Sequence, residues 1–500
     1  MARAYLGVDL GTTSIKCMAV DEAGVRLYVA SRVHETLSPR EGWIEQDPDG
    51  WLAPAIEAIR ECVAETAAYD VSAIALSGHM SSPVLLDGDL KPVYPCMTVG
   101  DARCEAQADR LLEDYGARFR DLTNNKPFAC FAVAKLMWFR KQEPQKYADT
   151  KCFVFAKDYL RYQLTGVLNT DPTDAGNSLL YNRDEGGWDW ELIEALGLKK
   201  EMFPRIVPSM DCVGSLLPEI ARKCGLSQKV RVFCGGADMA CSQIGTNSFS
   251  ENTLAITLST SGQVCMRVTA TCDEGYGKLT FHPGVIPGAE YAMGSIFSGG
   301  LALNWCYGLL DDCTKMTAQS FEKMNEMAAR SRQYPPGSGG VIFLPFLTGS
   351  GSPYFSSTDR STFLGISAST DRIMMFKAVM EGIAFHIREN VDVFRDMGCK
   401  IARIHLSGGG TNIKPWVQIL TDILGTEIHL LECADASTLG AALIAVVGDD
   451  PKKQLKDVAD RAVRTAGTMK PDAEHIAAYD GLYQVYTEFY HAVHGVYSRM

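Results

Sequence analysis

The sequence predicts an α/β protein built from two domains, and three observations carry that reading. Its 500 residues exceed one ordinary core, at roughly 100–200 residues per domain. Apolar extended runs alternate with helical patterns from Tyr5 as far as Gly245. A segment at the N-terminus also returns almost half a chain later. At an offset of 248, Val8–Val20 and Ile256–Val268 share Leu10/Leu258, Thr12/Thr260, Cys17/Cys265, Met18/Met266 and Val20/Val268. Thr13/Ser261 keeps the hydroxyl. Each copy opens one half, so the domains are placed at 1–246 and 247–500, joined near Thr246–Ser250.

The elements follow in order. Tyr5–Leu10 is extended and apolar, Gly11-Thr12-Thr13-Ser14 has turn chemistry, and Ile15–Val20 alternates as a second strand. After Asp47-Pro48-Asp49, the spacing of Leu52, Ile56, Ile59 and Val63 predicts an amphipathic helix. Val71–Leu76 reads as a strand running into Ser77-Gly78-His79-Met80. In the second half, Ile373, Phe376, Met380, Ile383 and Ile387 predict a long packed helix over about 371–390. A Tyr-rich helix is expected near 476–490. Tyr291–Leu310 carries no charge, but its glycines, serines and Asn304 point to a buried soluble segment, not a membrane span.

Composition narrows the class. Hydrophobic residues make up 46% and charged residues 22%, which is that of a globular chain. The net charge of −12 and the absence of a basic run argue against nucleic acid as a partner. None of the 16 cysteines falls in CxxC spacing, and no signal-peptide core precedes the first strand. Reduced thiols in a cytoplasmic, membrane-free protein are expected. The sequence is compatible with a homodimer.

Four loops could carry chemistry. GxxxxGK[ST], GxGxxG after the first strand and HExxH are all absent. Asp9-Leu10-Gly11-Thr12-Thr13 places a carboxylate at a strand end, followed by a turn of amides and hydroxyls. That combination suits a phosphate and its magnesium, and equally a plain hairpin with an Asx turn. Ser259-Thr260-Ser261-Gly262 offers the hydroxyls again, with Thr257 in place of Asp9. Gly235-Gly236-Ala237-Asp238 ends another apolar run, where Asp238 could take a proton from a substrate hydroxyl or cap a helix. Ser407-Gly408-Gly409-Gly410-Thr411-Asn412 offers a flat surface for a planar base, or a flexible turn.

Taken together, these stretches resemble the FGGY carbohydrate kinases. GVDLGTTSIK at 7–16, GWIEQDP at 42–48, AKLMWF at 134–139, KDYLRYQLTG at 157–166 and GGADMACSQIG at 235–245 carry the resemblance. LSTSG at 258–262, FLGI at 363–366, AVMEGIAF at 378–385 and SGGGTN at 407–412 extend it to the second half. The resemblance implies two ribonuclease H-like domains of the actin and hexokinase type, with ATP and sugar in an interdomain cleft. It implies a sugar and phosphate site with the catalytic base in the first domain, and the nucleotide site in the second.

Carried over by position, Asp238 is the base and Asp9 the carboxylate near Mg2+, through water. Thr12, Thr13, Ser14, Lys16 and Thr260 correspond to phosphate contacts. Gly300, Asn304, Gly409 and Gly410 correspond to the nucleotide wall. His79, Met80, Ser81, Asp101, Arg103 and Asp238 correspond to the sugar site. Ser81 stands where xylulose-phosphorylating members carry histidine, and the Arg-Glu pair of glycerol-phosphorylating members is absent. Val99-Gly100-Asp101-Ala102-Arg103 keeps only Asp101 and Arg103 of the pattern Trp-Asn-Asp-x-Arg. The implied activity is ATP-dependent phosphorylation of a ketopentose. Another ketose, a polyol or a sugar acid stays open, as does an actin-like nucleotide switch without a sugar.

Overall fold

The computed structural model describes residues 2–269, 273–313 and 315–499. The chain forms two compact units. The first contains Met1–Ser250, Phe281–Tyr291 and Asp435–Arg464, and the second Glu251–Thr280, Ala292–Ala434 and Thr465–Met500. The first change of unit lies close to the expected linker, but two later segments return to the first unit.

In the first unit, β1 (Ala2–Leu10), β2 (Ser14–Asp21) and β3 (Arg26–Val33) form an antiparallel meander. Strands β4 (Tyr69–Gly78), β5 (Cys212–Ser215) and β6 (Arg231–Ala237) complete a six-stranded sheet in the order β5-β6-β4-β1-β2-β3. Both β4 and β6 run parallel to β1, and β5 closes the edge antiparallel to β6. The helix Leu52–Glu65 covers one face, burying Ala55, Ala58, Ile59 and Cys62. Its buried stripe is centred one position from the expected one, because the two alanines let the helix approach the sheet while Leu52, Ile56 and Val63 flank the contact.

A second helix of this unit comes from far along the chain. Ala436–Asp449 is apolar on nearly every side, so it must be buried all round. It lies against β1 so closely that a Cβ on Gly7 would sit 2.1 Å from the Thr438 carbonyl oxygen. A Cβ on Gly440 would sit 1.9 Å from that of Cys241. These contacts place 435–464 in the first unit, where local sequence pattern gave no reason to put it.

In the second unit, β7 (Thr253–Leu258), β8 (Gly262–Val268) and β9 (Glu290–Ile296) precede β10 (Arg403–Ser407), β11 (Ile428–Leu431) and β12 (Thr465–Met469). They run in the order β9-β8-β7-β10-β11-β12. As in the first unit, β7 and β8 form a hairpin, two parallel strands follow on the other side of β7, and the outer strand is antiparallel. Six strands of the two sheets therefore repeat one topology, and the second sheet adds a seventh, Thr280–Pro283, beyond β9.

The sequence repeat holds only in part. Leu10 faces Ile15 across the first turn, with four residues between, whereas Leu258 faces Gly262 with three. Cys17 pairs with Val8, but Val264 pairs with Ile256, so Val264 and not Cys265 is the counterpart of Cys17. The identities Cys17/Cys265, Met18/Met266 and Val20/Val268 slip by one residue. Leu10/Leu258 keeps its place.

The long helix runs Arg372–Asp396, started by Asp371, whose carboxylate accepts from Ile373 N at 2.8 Å and Met374 N at 2.9 Å. The Tyr-rich helix spans Ala473–Tyr497. The uncharged stretch 291–310 is the end of β9, a turn and the helix Gly300–Leu310. Among the described residues no helix is long and apolar enough to cross a membrane. The described cysteines are free thiols.

Candidate active site

Strand β4 lies between β1 and β6, and all three are parallel. Asp9 is in register with Ser77, and Ser77 with Gly236, so their C-terminal ends share one edge of the sheet. That edge is where parallel sheets hold ligands. It brings Asp9, His79 and Asp238 together from strands far apart in sequence.

Asp238 opens the helix Asp238–Gly245 directly after β6. Its Oδ1 accepts from the N–H of Met239 at 2.8 Å, but the cap position falls on Ala237, so Asp238 is the first residue of the helix and not its cap. Burial, with the Asp9 carboxylate beside it, pushes its carboxyl up to about 7, against the backbone N–H groups of Met239 and Met80. The preceding loop is fixed by its glycine. Gly235 has φ +76°, and a Cβ there would meet the Leu76 carbonyl oxygen at 1.7 Å.

Asp9 is buried. Its Oδ2 accepts from the Ser437 hydroxyl at 2.8 Å, while Oδ1 is buried without a partner. Burial raises its pKa, opposed by the hydroxyls of Ser437 and Ser77 and by Lys16. Lys16 itself reaches Asp435, with Nζ 2.6 Å from Oδ1. Thr12 and Thr13 expose their side chains at the turn, and Ser14 begins β2.

Of the residues expected at the sugar, His79, Met80 and Ser81 follow β4 at this edge. His79 is buried, and burial first, then His34 and Lys135, push its pKa down to about 3, so it is neutral. Its Nδ1 lies 2.7 Å from the Ser82 hydroxyl, and its Nε2 is buried without a partner. Ser81 has φ 60° and its hydroxyl lies 3.5 Å from the Asn177 carbonyl oxygen. Asp101 and Arg103 are committed to each other. Arg103 Nε and Nη2 donate to Asp101 at 2.8 and 2.6 Å, and Ile44 N donates to Asp101 at 2.7 Å. Arg103 also donates to Glu45 at 2.8 Å and lies 3.7 Å over the Trp43 ring. Asp101 and Arg103 thus tie the 43–45 and 98–103 segments together, each charge with a partner inside the protein.

The second unit gathers its own candidates around the end of β7. The helix Gly300–Leu310 starts on the 259–261 turn, with Gly300 N donating to Ser259 O at 2.7 Å and Leu301 N to Thr260 O at 2.9 Å. Asn304 is half-buried one turn into that helix. Gly410 packs on Leu258, whereas Gly409 is exposed with open space where a Cβ would be. Thr260, Gly300, Gly409 and Gly410 therefore border one strand end.

Two family models cover most of the chain. The N-terminal domain of the FGGY family of carbohydrate kinases matches residues 4–245, and its C-terminal domain matches 254–448. The chain belongs to the FGGY family of carbohydrate kinases. This FGGY kinase is 30% identical to the xylulose kinase of Bacillus subtilis (strain 168), covering 97% of this chain and 96% of the relative. The crystal structure of a xyloylose kinase from Brucella ovis matches with TM-score 0.90 and 29% identity, covering 99% of this chain and 100% of that one. A gluconate kinase from Lactobacillus acidophilus matches with TM-score 0.93 at 22% identity, covering 100% of both chains. The last comparison speaks to fold alone. The α/β, two-domain FGGY fold and carbohydrate kinase activity expected from the sequence both stand.

Behind Asp238 the kinase buries a charge network that sequence reasoning missed. Lys157 Nζ lies 2.6 Å from Asp158, 3.0 Å from Asp171 and 3.0 Å from Asp174. The three carboxylates are close enough to hold a metal ion, but the Lys157 ammonium already sits among them. Burial drives Asp174 well above the usual carboxylate range, against the pull of the Lys157 ammonium. The network reaches the loop ahead of Asp238 directly. Arg161 donates to the Cys234 carbonyl at 2.8 Å, and Asp171 orients the Thr173 hydroxyl that accepts from Ala237 N at 2.8 Å. Ser437 and Asp435 were missed as well. Their only local signal was Asp435-Ala436-Ser437 immediately ahead of an apolar, glycine-containing helix.

Proposed function

We propose that this kinase phosphorylates a ketopentose, with D-xylulose as the first candidate, from ATP accompanied by Mg2+. The observation that carries the mechanism is the position of Asp238, beside Asp9 on the edge that also bears His79. A carboxyl held near 7 by burial and by Asp9 is matched to accept a proton at neutral pH. Asp238 removes the proton from the attacking sugar hydroxyl. His79, neutral and with Nε2 facing no protein partner, hydrogen-bonds a second hydroxyl.

The Asp9 donor set fits a hard cation, since its buried Oδ1 has no protein partner and a carboxylate oxygen is the ligand Mg2+ prefers. Bound there, through water, Mg2+ would neutralise charge on the transferring phosphoryl group. Thr12, Thr13 and Ser14 bind phosphate by amide and hydroxyl donors. Lys16 joins them by leaving Asp435. Thr260, Gly300, Asn304, Gly409 and Gly410 bind the nucleotide. The xylulose kinases to which the chain is similar over nearly its full length support the ketopentose.

The test is ADP release over a panel of ketoses, polyols and sugar acids. D-Xylulose or another ketopentose is expected to give the highest kcat/KM. A sugar acid or glycerol at the top would end the ketopentose reading and leave kinase activity in place.

Ser81 gives a sharper expectation. Its positive φ suits glycine, so Ser81→Gly relieves a cost of about 1–2 kcal/mol in the folded chain while loosening the unfolded one. The melting temperature is expected to change little. The ratio of kcat/KM values between ketoses is expected to shift several-fold, because a site hydroxyl that pairs with substrate hydroxyls discriminates between them. An unchanged ratio would make Ser81 structural.

A further inference from the structure

The phosphate turn is gripped from behind. Carbonyl oxygens of a surface turn usually point to water. Here four successive ones are taken up by the protein. Leu10 O accepts from His79 N at 2.9 Å, and Gly11 O lies 2.8 Å from His34 Nε2. Thr12 O accepts from Gln46 Nε2 at 2.8 Å and the Thr36 hydroxyl at 3.0 Å, and Thr13 O accepts from His34 N at 3.3 Å. In a trans peptide the C=O and N–H point in opposite directions. Drawing the Gly11 and Thr12 carbonyls inward therefore turns the N–H groups of Thr12 and Thr13 the other way, as an anion-binding turn requires.

Gln46 is the most constrained member of this grip. It is fully buried, in the two-residue strand Glu45–Gln46 that pairs with Cys96–Met97. Its Nε2 donates to Thr12 O and, at 3.0 Å, to the Thr36 hydroxyl. Its Oε1 accepts from the Trp51 indole N–H at 3.1 Å. Indole can only donate and a backbone carbonyl can only accept, so the amide cannot be turned over without losing its bonds to Trp51 and Thr12. The Trp51 ring in turn stands edge-on to His79, with centroids 5.8 Å apart at 80°. One glutamine and one tryptophan thus join the phosphate turn to the histidine on the sugar side.

We propose that Gln46 is a positioning residue for the phosphate turn, with Trp51 fixing its amide and linking it to His79. The inference rests on the reading of residues 11–14 as the phosphate site. Gln46→Leu keeps the bulk and removes the three hydrogen bonds. Trp51→Phe keeps a ring beside His79 and removes only the N–H to Gln46.

The first measurement is hydrogen exchange in the unliganded protein. Exchange of the peptide covering 8–16 is expected to speed up by about tenfold in Gln46→Leu, with the peptide covering 253–268 unchanged. The second is steady-state kinetics with MgATP and D-xylulose. KM for ATP is expected to rise by about tenfold in Gln46→Leu and about threefold in Trp51→Phe, with KM for the ketose within about twofold. Trp51→Phe should add nothing to Gln46→Leu in the double variant.

Unchanged exchange at 8–16, or equal rises in both KM values, would overturn the proposal. Additive effects in the double variant would remove Trp51 from it. If Gln46→Leu does not fold, Trp51→Phe alone decides by the same exchange and KM criteria. A wild-type protein that forms no ADP with any sugar would fail the functional reading instead, and exchange at 8–16 would still judge Gln46.

Discussion

Replacing Asp238 by asparagine lowers turnover by about 10²–10⁴-fold, the usual worth of a positioned general base, while ATP binding measured by calorimetry stays within about threefold. The amide keeps the shape and the contact to Met239 N but cannot take the proton. The same carboxyl sets the acid side of the pH profile. Raised to about 7 by burial and by Asp9, it is protonated and idle below that value and ready above it. kcat/KM for the sugar therefore falls as pH drops through the pKa, with unit slope. A cation beside Asp9 offsets the repulsion between the two acids and moves the midpoint lower. The residual activity of Asp238→Asn lacks this limb. Turnover near that of the wild type at saturating sugar would take Asp238 out of the mechanism.

Asp9→Asn is the next largest effect expected, about 10²–10³-fold in kcat, comparable to losing one preorganised electrostatic group. The amide oxygen can still accept from Ser437, but no negative charge is left for a cation. The activation curve should shift to higher Mg2+, with KM for the sugar little changed. Calorimetry should show MgATP losing its advantage over metal-free ATP. Because Asp9 contributes to the raised pKa of Asp238, the acid limb of the remaining activity should move down. A variant that lost sugar binding but kept its Mg2+ response would place Asp9 in the sugar site.

What could be read from sequence was what is encoded locally. The hairpin around Gly11–Ser14 shows in strand alternation on both sides of turn residues. Asp238 shows because two glycines precede it at the end of an apolar run, and Gly235 does need its missing Cβ. The chain-wide motifs gave the family. The rest depends on partners far along the chain. Ser437 meets Asp9 across 428 positions. Asp101 and Arg103 look like free polar groups until Ile44, Glu45 and Trp43 fold over them. The repeat was misjudged at its second strand because a turn one residue shorter leaves hydrophobic strands looking alike in either register.

The late return of the chain to the first unit bears on how the protein is made. Gly7 is bare until the helix Ala436–Asp449 lies over it, and Asp9 lacks its Ser437 bond until the same moment. After Ser250 is added, the ribosome has about 190 residues still to supply before that helix begins, which at 5–20 residues per second is roughly 10–40 s. Throughout that interval the nascent first unit carries an uncovered apolar flank on its oldest strand. The second half is not merely a later domain, since its segment 435–464 is the final piece of the first. A ribosome stalled between residues 250 and 436 leaves a chain whose sheet edge with Asp9, His79 and Asp238 is fully synthesised but lacks its cover.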